Sequence, residues 1–292
     1  MKKTIFQGAA TALITPFRDG HVDYKAFDQI IEHQIVSGID ALVACGTTGE
    51  SSTLTDLEHR EIIAYCVEKV AGRVPVIAGT GSNETSYAME LSRFAAQEGA
   101  DAVLIVTPYY NKCTPKGLIR HYQTIADSCS IPLILYNVPS RTGVNIKPET
   151  YAVLAEHENI VAIKEASGDI ASAATTLSLC QDKIDMYSGN DDEVVPILSI
   201  GGKGVISVLS NIAPAQIHEM CQSFFDGNVK KARELQLKYM ELIHALFCEV
   251  NPIPVKTAMA ALGYCTEEMR LPLCEMESAT RAKLMKALEI LK

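Results

Sequence analysis

The chain has 292 residues, of which 48% are hydrophobic, and its 26 basic and 35 acidic side chains give a formal net charge of -9. A chain of this size buries a sizeable core, and an acidic balance without a basic run argues against nucleic acid as a partner. The apolar stretches are shorter than the roughly 18 residues of a membrane span, and the N-terminal segment lacks a signal-peptide cleavage site. We therefore expect a cytoplasmic protein with no membrane partner.

Eight short runs rich in apolar and β-branched residues predict buried strands of a parallel sheet. They cover residues 9–14, 40–45, 74–78, 102–106, 133–136, 160–163, 186–188 and 205–208. The intervals between them leave room for one helix each, which is typical of repeated βα units.

Helix-start signals occupy those intervals. Thr55 and Glu58 have the spacing of a capping box, Asn83 is a candidate cap for a helix ending near Glu98, and Thr114 precedes a proline suited to a first helical position. Eight such units predict an α/β protein with a (β/α)8 (TIM) barrel, and a doubly wound sheet is the weaker alternative.

The barrel accounts for residues 1–225, and we expect residues 226–292 to form a C-terminal helical extension packed on it. The extension begins with apolar residues spaced by three and four, as in an amphipathic helix: Ala232, Leu235, Tyr239, Leu242 and Leu246. Two further helical stretches are predicted at 255–262 and 278–291.

The nine cysteines are scattered without a Cys-x-x-Cys pair, and their number is odd. The nearest His/Cys pair, His218 and Cys221, supplies only two of the about four ligands that structural zinc needs. We expect buried thiols rather than disulfides or a metal site.

In a (β/α)8 barrel, reactive groups lie at the C-terminal ends of the strands. Those positions here supply hydroxyls, glycines, tyrosines and one lysine, without the His and carboxylate cluster of a metal enzyme. The glycines beside Thr47 and Thr48 allow backbone N–H groups to approach a small anion such as a carboxylate, although a plain turn is the alternative. The glycine-rich run 201–204 lies at the other end of the barrel, and we interpret it as a tight turn.

Lys164 ends the apolar run IVAI of the sixth predicted strand. An ordinary lysine has a pKa of ~10.4, and burial lowers that value, which increases the fraction of nucleophilic amine. Such an amine attacks a carbonyl to form a Schiff base. The alternative is a structural lysine paired with Glu165 or Asp169, but strand alternation directs Glu165 to the other face.

Two neighbouring residues have the chemistry that a Schiff base requires. Tyr136 ends the fifth predicted strand, where its hydroxyl can donate or accept a proton; a core aromatic is the alternative. Arg141 lies on the loop that follows and has a guanidinium suited to bidentate recognition of a carboxylate, although a lone loop arginine is more often solvated.

Six motifs, in order along the chain, resemble those of the dihydrodipicolinate synthases. They are GTTGE at 46–50, TPYYN at 107–111, YNVPSRTG at 136–143, IKEASGD at 163–169, SGND at 188–191 and NPIPVK at 251–256. The resemblance implies condensation of pyruvate with L-aspartate-4-semialdehyde to 4-hydroxy-tetrahydrodipicolinate, in lysine and diaminopimelate biosynthesis.

The resemblance also implies roles for individual residues. Lys164 is expected to form the Schiff base, and a proton relay is expected from Tyr136, Thr47 and Tyr110, the last from a neighbouring subunit. The expected substrate contacts are Thr48, Arg141, Gly189 and Ile206. The resemblance further implies a homotetramer built as a dimer of dimers, with no metal or organic cofactor.

A feedback site for lysine is implied less completely. Four residues match positions that hold the effector in the family: Ser51, His59, Asn83 and Tyr109. Two positions depart from the pattern, because Asp56 replaces a frequent histidine and Tyr87 replaces a glutamate that would pair with the ammonium of lysine. We expect lysine to inhibit weakly or not at all.

Two other functions stay open. A related Schiff-base lyase, such as N-acetylneuraminate lyase or a keto-deoxy sugar acid aldolase, shares the lysine and tyrosine, but Thr47, Thr48 and Arg141 favour the synthase. A non-catalytic keto-acid-binding protein on the same barrel is less expected, because binding alone needs neither a nucleophile nor a proton relay.

Overall fold

The computed structural model describes residues 2–291. Eight parallel strands form a closed barrel in which each strand pairs with its neighbours in chain order and the first strand also pairs with the last. The strands are β1 (Gly8–Ala12), β2 (Ala41–Ala44), β3 (Val76–Gly79), β4 (Ala102–Val106), β5 (Leu133–Asn137), β6 (Ile160–Glu165), β7 (Asp185–Ser188) and β8 (Gly204–Ser207). The (β/α)8 barrel expected from the sequence is confirmed, and the bounds of each strand differ from the predicted ones by two residues or fewer.

Helices surround the barrel and continue beyond it. They are α1 (Tyr24–Val36), α2 (Asp56–Val70), α3 (Thr85–Gln97), α4 (Pro115–Ser128), α5 (Pro139–Thr142), α6 (Pro148–Leu154), α7 (Ile170–Cys180), α8 (Val194–Ser199), α9 (Pro214–Phe225), α10 (Val229–Leu246), α11 (Ile253–Ala261) and α12 (Ser278–Ala287). Short 3-10 turns lie at Ser51–Thr53, Gln181–Lys183, Asp191–Glu193, Leu209–Asn211 and Leu288–Leu291, and a small hairpin pairs Phe17–Arg18 with His21–Val22.

The apolar interior has two parts because each barrel strand is covered on both faces. Side chains on the outer face pack against the helices, whereas a smaller set, including Ala10, Val43, Ile77 and Ile206, fills the lumen. The lumen is therefore a packed core, and only the ends of the strands are free to carry chemistry.

Side-chain hydrogen bonds cap the beginning of six of the α-helices in residues 2–291. The Thr55–Glu58 capping box is present, and Thr114 accepts a hydrogen bond from Gly117 N. The predicted cap of α3 is wrong: Glu84 caps that helix through its carboxylate. Asn83 is not free to do so, because its side-chain amide donates to the carbonyl of Tyr109 at 3.2 Å.

The last three α-helices match the predicted C-terminal helices. α11 begins two residues earlier than predicted, because Pro254 fits within the first helical turn, where no N–H is needed. The last predicted helix ends at Ala287 and continues as a 3-10 turn. No helix within residues 2–291 is long and apolar enough to cross a membrane.

Candidate active site

Lys164 and Tyr136 lie side by side at the C-terminal ends of β6 and β5. The two residues are register partners in the sheet, and the Lys164 ammonium nitrogen is 4.4 Å from the centroid of the Tyr136 ring. Both side chains are buried, with 5% and 7% of their surfaces exposed. Parallel pairing thus places a candidate nucleophile and a candidate proton carrier together.

The surroundings of Lys164 favour its neutral, nucleophilic form. Burial lowers the pKa of this amine to about 8, the Asp191 carboxylate opposes that effect, and the Arg141 guanidinium adds to it. Loss of hydration penalises the ammonium more than the amine, which is why burial dominates.

The structural alternative for Lys164 does not match the contacts. Glu165 points to the outer face of the barrel, where its carboxylate accepts hydrogen bonds from Asn137, Tyr151 and Ser167. Asp169 caps α7 by accepting from Ser172 N. Neither predicted alternative partner is therefore engaged with Lys164.

Asp191 is a site residue that sequence reasoning passed over. Its buried carboxylate accepts hydrogen bonds from the Ser207 hydroxyl at 2.5 Å and from the backbone N–H groups of Val208 and Leu209 at 3.0 and 2.9 Å. These donors lie where β8 ends, so the carboxylate is fixed between the ends of β7 and β8. Its place in the motif SGND was the only available signal.

Tyr136 has an environment that favours the protonated form of its hydroxyl. Burial raises the pKa of its hydroxyl, while the charge of Arg141 and a hydrogen bond with Thr47 oppose the rise. Thr47 is thus brought to Tyr136. Tyr110 is not: its side chain is 94% exposed on this chain, and its backbone is left-handed, with φ 68°.

The C-terminal extension closes the site through Asn251, which sequence reasoning also missed as a site residue. The Asn251 side-chain amide donates to Thr48 Oγ1 at 3.0 Å, and the Arg141 guanidinium donates to the Asn251 carbonyl at 2.9 Å. The Asn251 carboxamide oxygen is buried and has no hydrogen-bond partner among residues 2–291. Two predicted carboxylate-binding residues are therefore linked through one asparagine.

The two remaining predicted substrate contacts occupy tight positions. A Cβ added at Gly189 would lie 2.7 Å from the Cβ of Ala166 and 3.2 Å from the Cε of Lys164, so a larger side chain would displace the lysine. Ile206 is fully buried on β8, paired with Ala10.

A cavity of about 430 Å³ extends from this region toward the predicted effector residues. Its lining includes Thr47, Arg141 and Asn251 at one side and His59 and Tyr109 at another. The same opening therefore contacts both predicted sets of residues.

The chain is similar to known proteins over nearly its whole length. The profile of the dihydrodipicolinate synthetase family matches residues 5–291. The 4-hydroxy-tetrahydrodipicolinate synthase of Alkaliphilus oremlandii is 52% identical over 281 residues, covering 96% of this chain and 97% of the relative. The enzyme of the same name from Acetivibrio thermocellus is 55% identical over 276 residues, 94% of either chain.

The chain belongs to the dihydrodipicolinate synthetase family. Among solved structures, the chloride-inhibited dihydrodipicolinate synthase from Acinetobacter baumannii complexed with pyruvate has a TM-score of 0.96 and 43% identity, over 98% of this chain and 99% of that one. The family inferred from the sequence motifs is confirmed.

In this member of the dihydrodipicolinate synthetase family, the predicted effector residues make internal contacts. The His59 ring nitrogen Nε2 is 2.7 Å from the Gly79 carbonyl, and Tyr87 donates its hydroxyl to Asp56 at 2.8 Å. Ser51 borders the same cavity. Tyr87 and Asp56, the two departures from the family pattern, are thus hydrogen-bonded to each other.

Proposed function

We propose that this chain condenses pyruvate with L-aspartate-4-semialdehyde through a Schiff base on Lys164, giving 4-hydroxy-tetrahydrodipicolinate for lysine and diaminopimelate biosynthesis. The observation that carries the proposal is a buried lysine whose pKa falls to about 8, next to a buried tyrosine at the catalytic face of the barrel. Relatives bearing that enzyme name match nearly the whole chain at 50% identity or more.

The first step forms a covalent bond from the Lys164 nitrogen to the keto carbon of pyruvate. The keto oxygen leaves as water, and the resulting iminium withdraws electrons from the methyl carbon, which loses a proton to give an enamine. Tyr136 and Thr47 carry protons to and from the oxygen. Asp191 supplies a buried negative charge that favours the cationic iminium.

The second step joins the enamine carbon to the aldehyde carbon of the semialdehyde. The Arg141 guanidinium binds the carboxylate of this substrate, and Thr48 binds that of pyruvate. Gly189 and Ile206 contribute backbone contacts. The amino group from the semialdehyde then replaces the Lys164 nitrogen on the former keto carbon, so that the ring C–N bond forms as the bond to the lysine breaks and the free amine is regenerated.

Tyr110 completes the proton relay of a neighbouring subunit in this proposal. Its 94% exposure on the isolated chain supports such a role, because the hydroxyl is free to enter another site. The assembly is a homotetramer built as a dimer of dimers. Light scattering coupled to gel filtration tests it, and a fully active monomer would refute the placement of Tyr110.

We further propose a degenerate lysine-binding site at Ser51, His59, Asn83 and Tyr109. The hydrogen bond from Tyr87 to Asp56 supports weak feedback, because no free carboxylate at position 87 can pair with the effector ammonium. We also propose that a catalytic barrel of residues 1–225 is followed by a helical extension of residues 226–292, a division that the end of α9 at Phe225 supports. The proposed location is the cytoplasm.

The deciding experiment is mass spectrometry after incubation with pyruvate and borohydride. A reduced pyruvate adduct confined to the Lys164 peptide, and none in Lys164→Ala, supports the mechanism. An unmodified lysine in folded protein would refute it. Turnover of aspartate semialdehyde but not of N-acetylneuraminate then separates the synthase from the related lyases.

A further inference from the structure

Two residues that end separate motifs form a fully buried ion pair. Lys256, the last residue of NPIPVK, lies on α11 in the C-terminal extension, and Glu50 ends GTTGE in the loop after β2. The Lys256 ammonium is 2.5 Å from Glu50 Oε1, and the two side chains are 0% and 1% exposed. The pair therefore links the extension to the barrel.

The surroundings satisfy both charges. The second oxygen of Glu50 accepts a hydrogen bond from the backbone N–H of Arg270 at 3.1 Å. The Lys256 ammonium also lies 4.1 Å from the centroid of the buried Phe17 ring, and the Arg270 guanidinium carbon lies 4.4 Å from it. Cation–π contact compensates part of the hydration that the ammonium has lost.

Glu50 is linked through the backbone to Thr47 and Thr48. Its N–H donates to the carbonyl of Thr47 at 3.1 Å, and its own φ of 55° places it in the left-handed region, which is strained for a residue with a side chain. The next side chain toward the site, Thr48, is held by Asn251. The loop is thus held by the extension at two points, Thr48 and Glu50.

Stability alone gives little reason for such a pair. Burying two charges costs most of what their attraction returns, and apolar replacements of similar volume are often as stable. A short, directional contact can instead fix the strained turn at Glu50 and so position the loop that carries Thr47 and Thr48.

We propose that the Glu50–Lys256 pair is a positioning device for the proposed condensation: it holds Thr48 in the orientation that binds the pyruvate carboxylate and Thr47 in its place beside Tyr136. The inference rests on the proposed function. It makes the C-terminal extension a working part of the site, because Glu50 and Lys256 act through the two threonines.

The test is the pyruvate concentration that gives half-maximal borohydride trapping at Lys164. The double variant Glu50→Gln with Lys256→Met removes both charges at similar volume. We expect the half-saturating concentration to rise tenfold or more, while the extent of trapping at saturating pyruvate stays within threefold of the wild type. The control is Glu219→Gln with Lys231→Met, which removes a half-exposed pair with a 3.2 Å contact and should leave the curve unchanged.

A saturation curve for the folded double variant that matches the wild type would overturn the inference, even if the melting temperature falls. If the double variant does not fold, Glu50→Asp, which keeps both charges but shortens the reach of the carboxylate, is read by the same assay and the same criterion. Absence of trapping in the wild-type protein would refute the proposed function itself, so the two failures are distinguishable.

Discussion

Schiff-base formation at Lys164 should depend on pH with an inflection near 8 rather than above 10. The structure lowers the pKa of this amine from 10.5 to about 8. At pH 7 roughly 9% of such a lysine is neutral, compared with roughly 0.03% of an ordinary one. The burial of this one group therefore increases the nucleophilic fraction at neutral pH by about 300-fold.

The assay mixes protein with pyruvate at pH values from about 6 to 10, stops samples at intervals in borohydride of one fixed pH, and quantifies the adduct by mass spectrometry. The initial rate should increase about tenfold per pH unit below the inflection and level off above it. Asp191→Asn should move the inflection to lower pH, because the carboxylate is the group that favours the ammonium. A rate that keeps rising tenfold per pH unit up to about pH 10 would refute the reasoning.

The same pKa shift has a consequence for stability that can be measured separately. Below pH 8 the folded protein holds a buried ammonium, so the full penalty of about 3 kcal/mol is present. Because the folded pKa is the lower one, the penalty fades as the pH rises from 8 to 10.5. Lys164→Met should thus stabilise the protein at pH 7 in urea unfolding, and equal stability of the two proteins at pH 7 would contradict the burial argument.

Three further predictions concern the substrate, the effector and the acid limit. Arg141→Met should raise the KM for aspartate semialdehyde tenfold to about a hundredfold, and an unchanged KM would exclude the proposed carboxylate contact. The wild-type protein should keep most of its activity in roughly 1 mM lysine, whereas Tyr87→Glu should increase inhibition about tenfold, by restoring a carboxylate beside Asp56; strong inhibition of the wild type would refute this. A hydrogen bond from Arg270, with smaller contributions from Thr55, lowers the pKa of Glu58 to about 2; solvent screening limits this partly exposed pair to about 1 kcal/mol above pH 4.5, which is lost as the pH falls toward 2. Arg270→Met should therefore reduce the free energy of unfolding by about 1 kcal/mol more at pH 7 than near pH 2, because the contacts of Arg270 with Phe17 and with the carbonyls of Thr53 and Gly20 persist in acid; a deficit independent of pH would contradict it.

The barrel was predictable because its strands are buried on both faces. Continuous apolar runs such as AVLIV at 102–106 have no competing interpretation once helix signals separate them, and this strand was predicted to the residue. The cap of α3 was mispredicted for a tertiary reason. Asn83 has the local chemistry of a cap, but the carbonyl of Tyr109 on another loop takes its side chain.

The candidate site was predictable only where the type and position of a single residue indicate its chemistry. A lysine at the end of an apolar run can be recognised from its position in the sequence. The role of Asp191 is visible only from the hydrogen bonds that its carboxylate accepts at the end of β8. Asn251 depends likewise on its distance from Thr48, a residue 203 positions earlier in the chain. Pairings of this kind require the fold, since no local spacing carries them.

The general rule for (β/α)8 barrels places the chemistry at the strand ends, and Lys164, Tyr136 and Thr47 do lie at or just after the C-terminal ends of their strands. The rule is silent about helices added after the barrel. Here the added segment supplies Asn251, which joins Thr48 to Arg141. It also supplies Lys256, whose ammonium forms an ion pair with Glu50 in the loop after β2. The strand ends set which groups can react, and the extension sets where two of the proposed substrate-binding groups lie relative to each other.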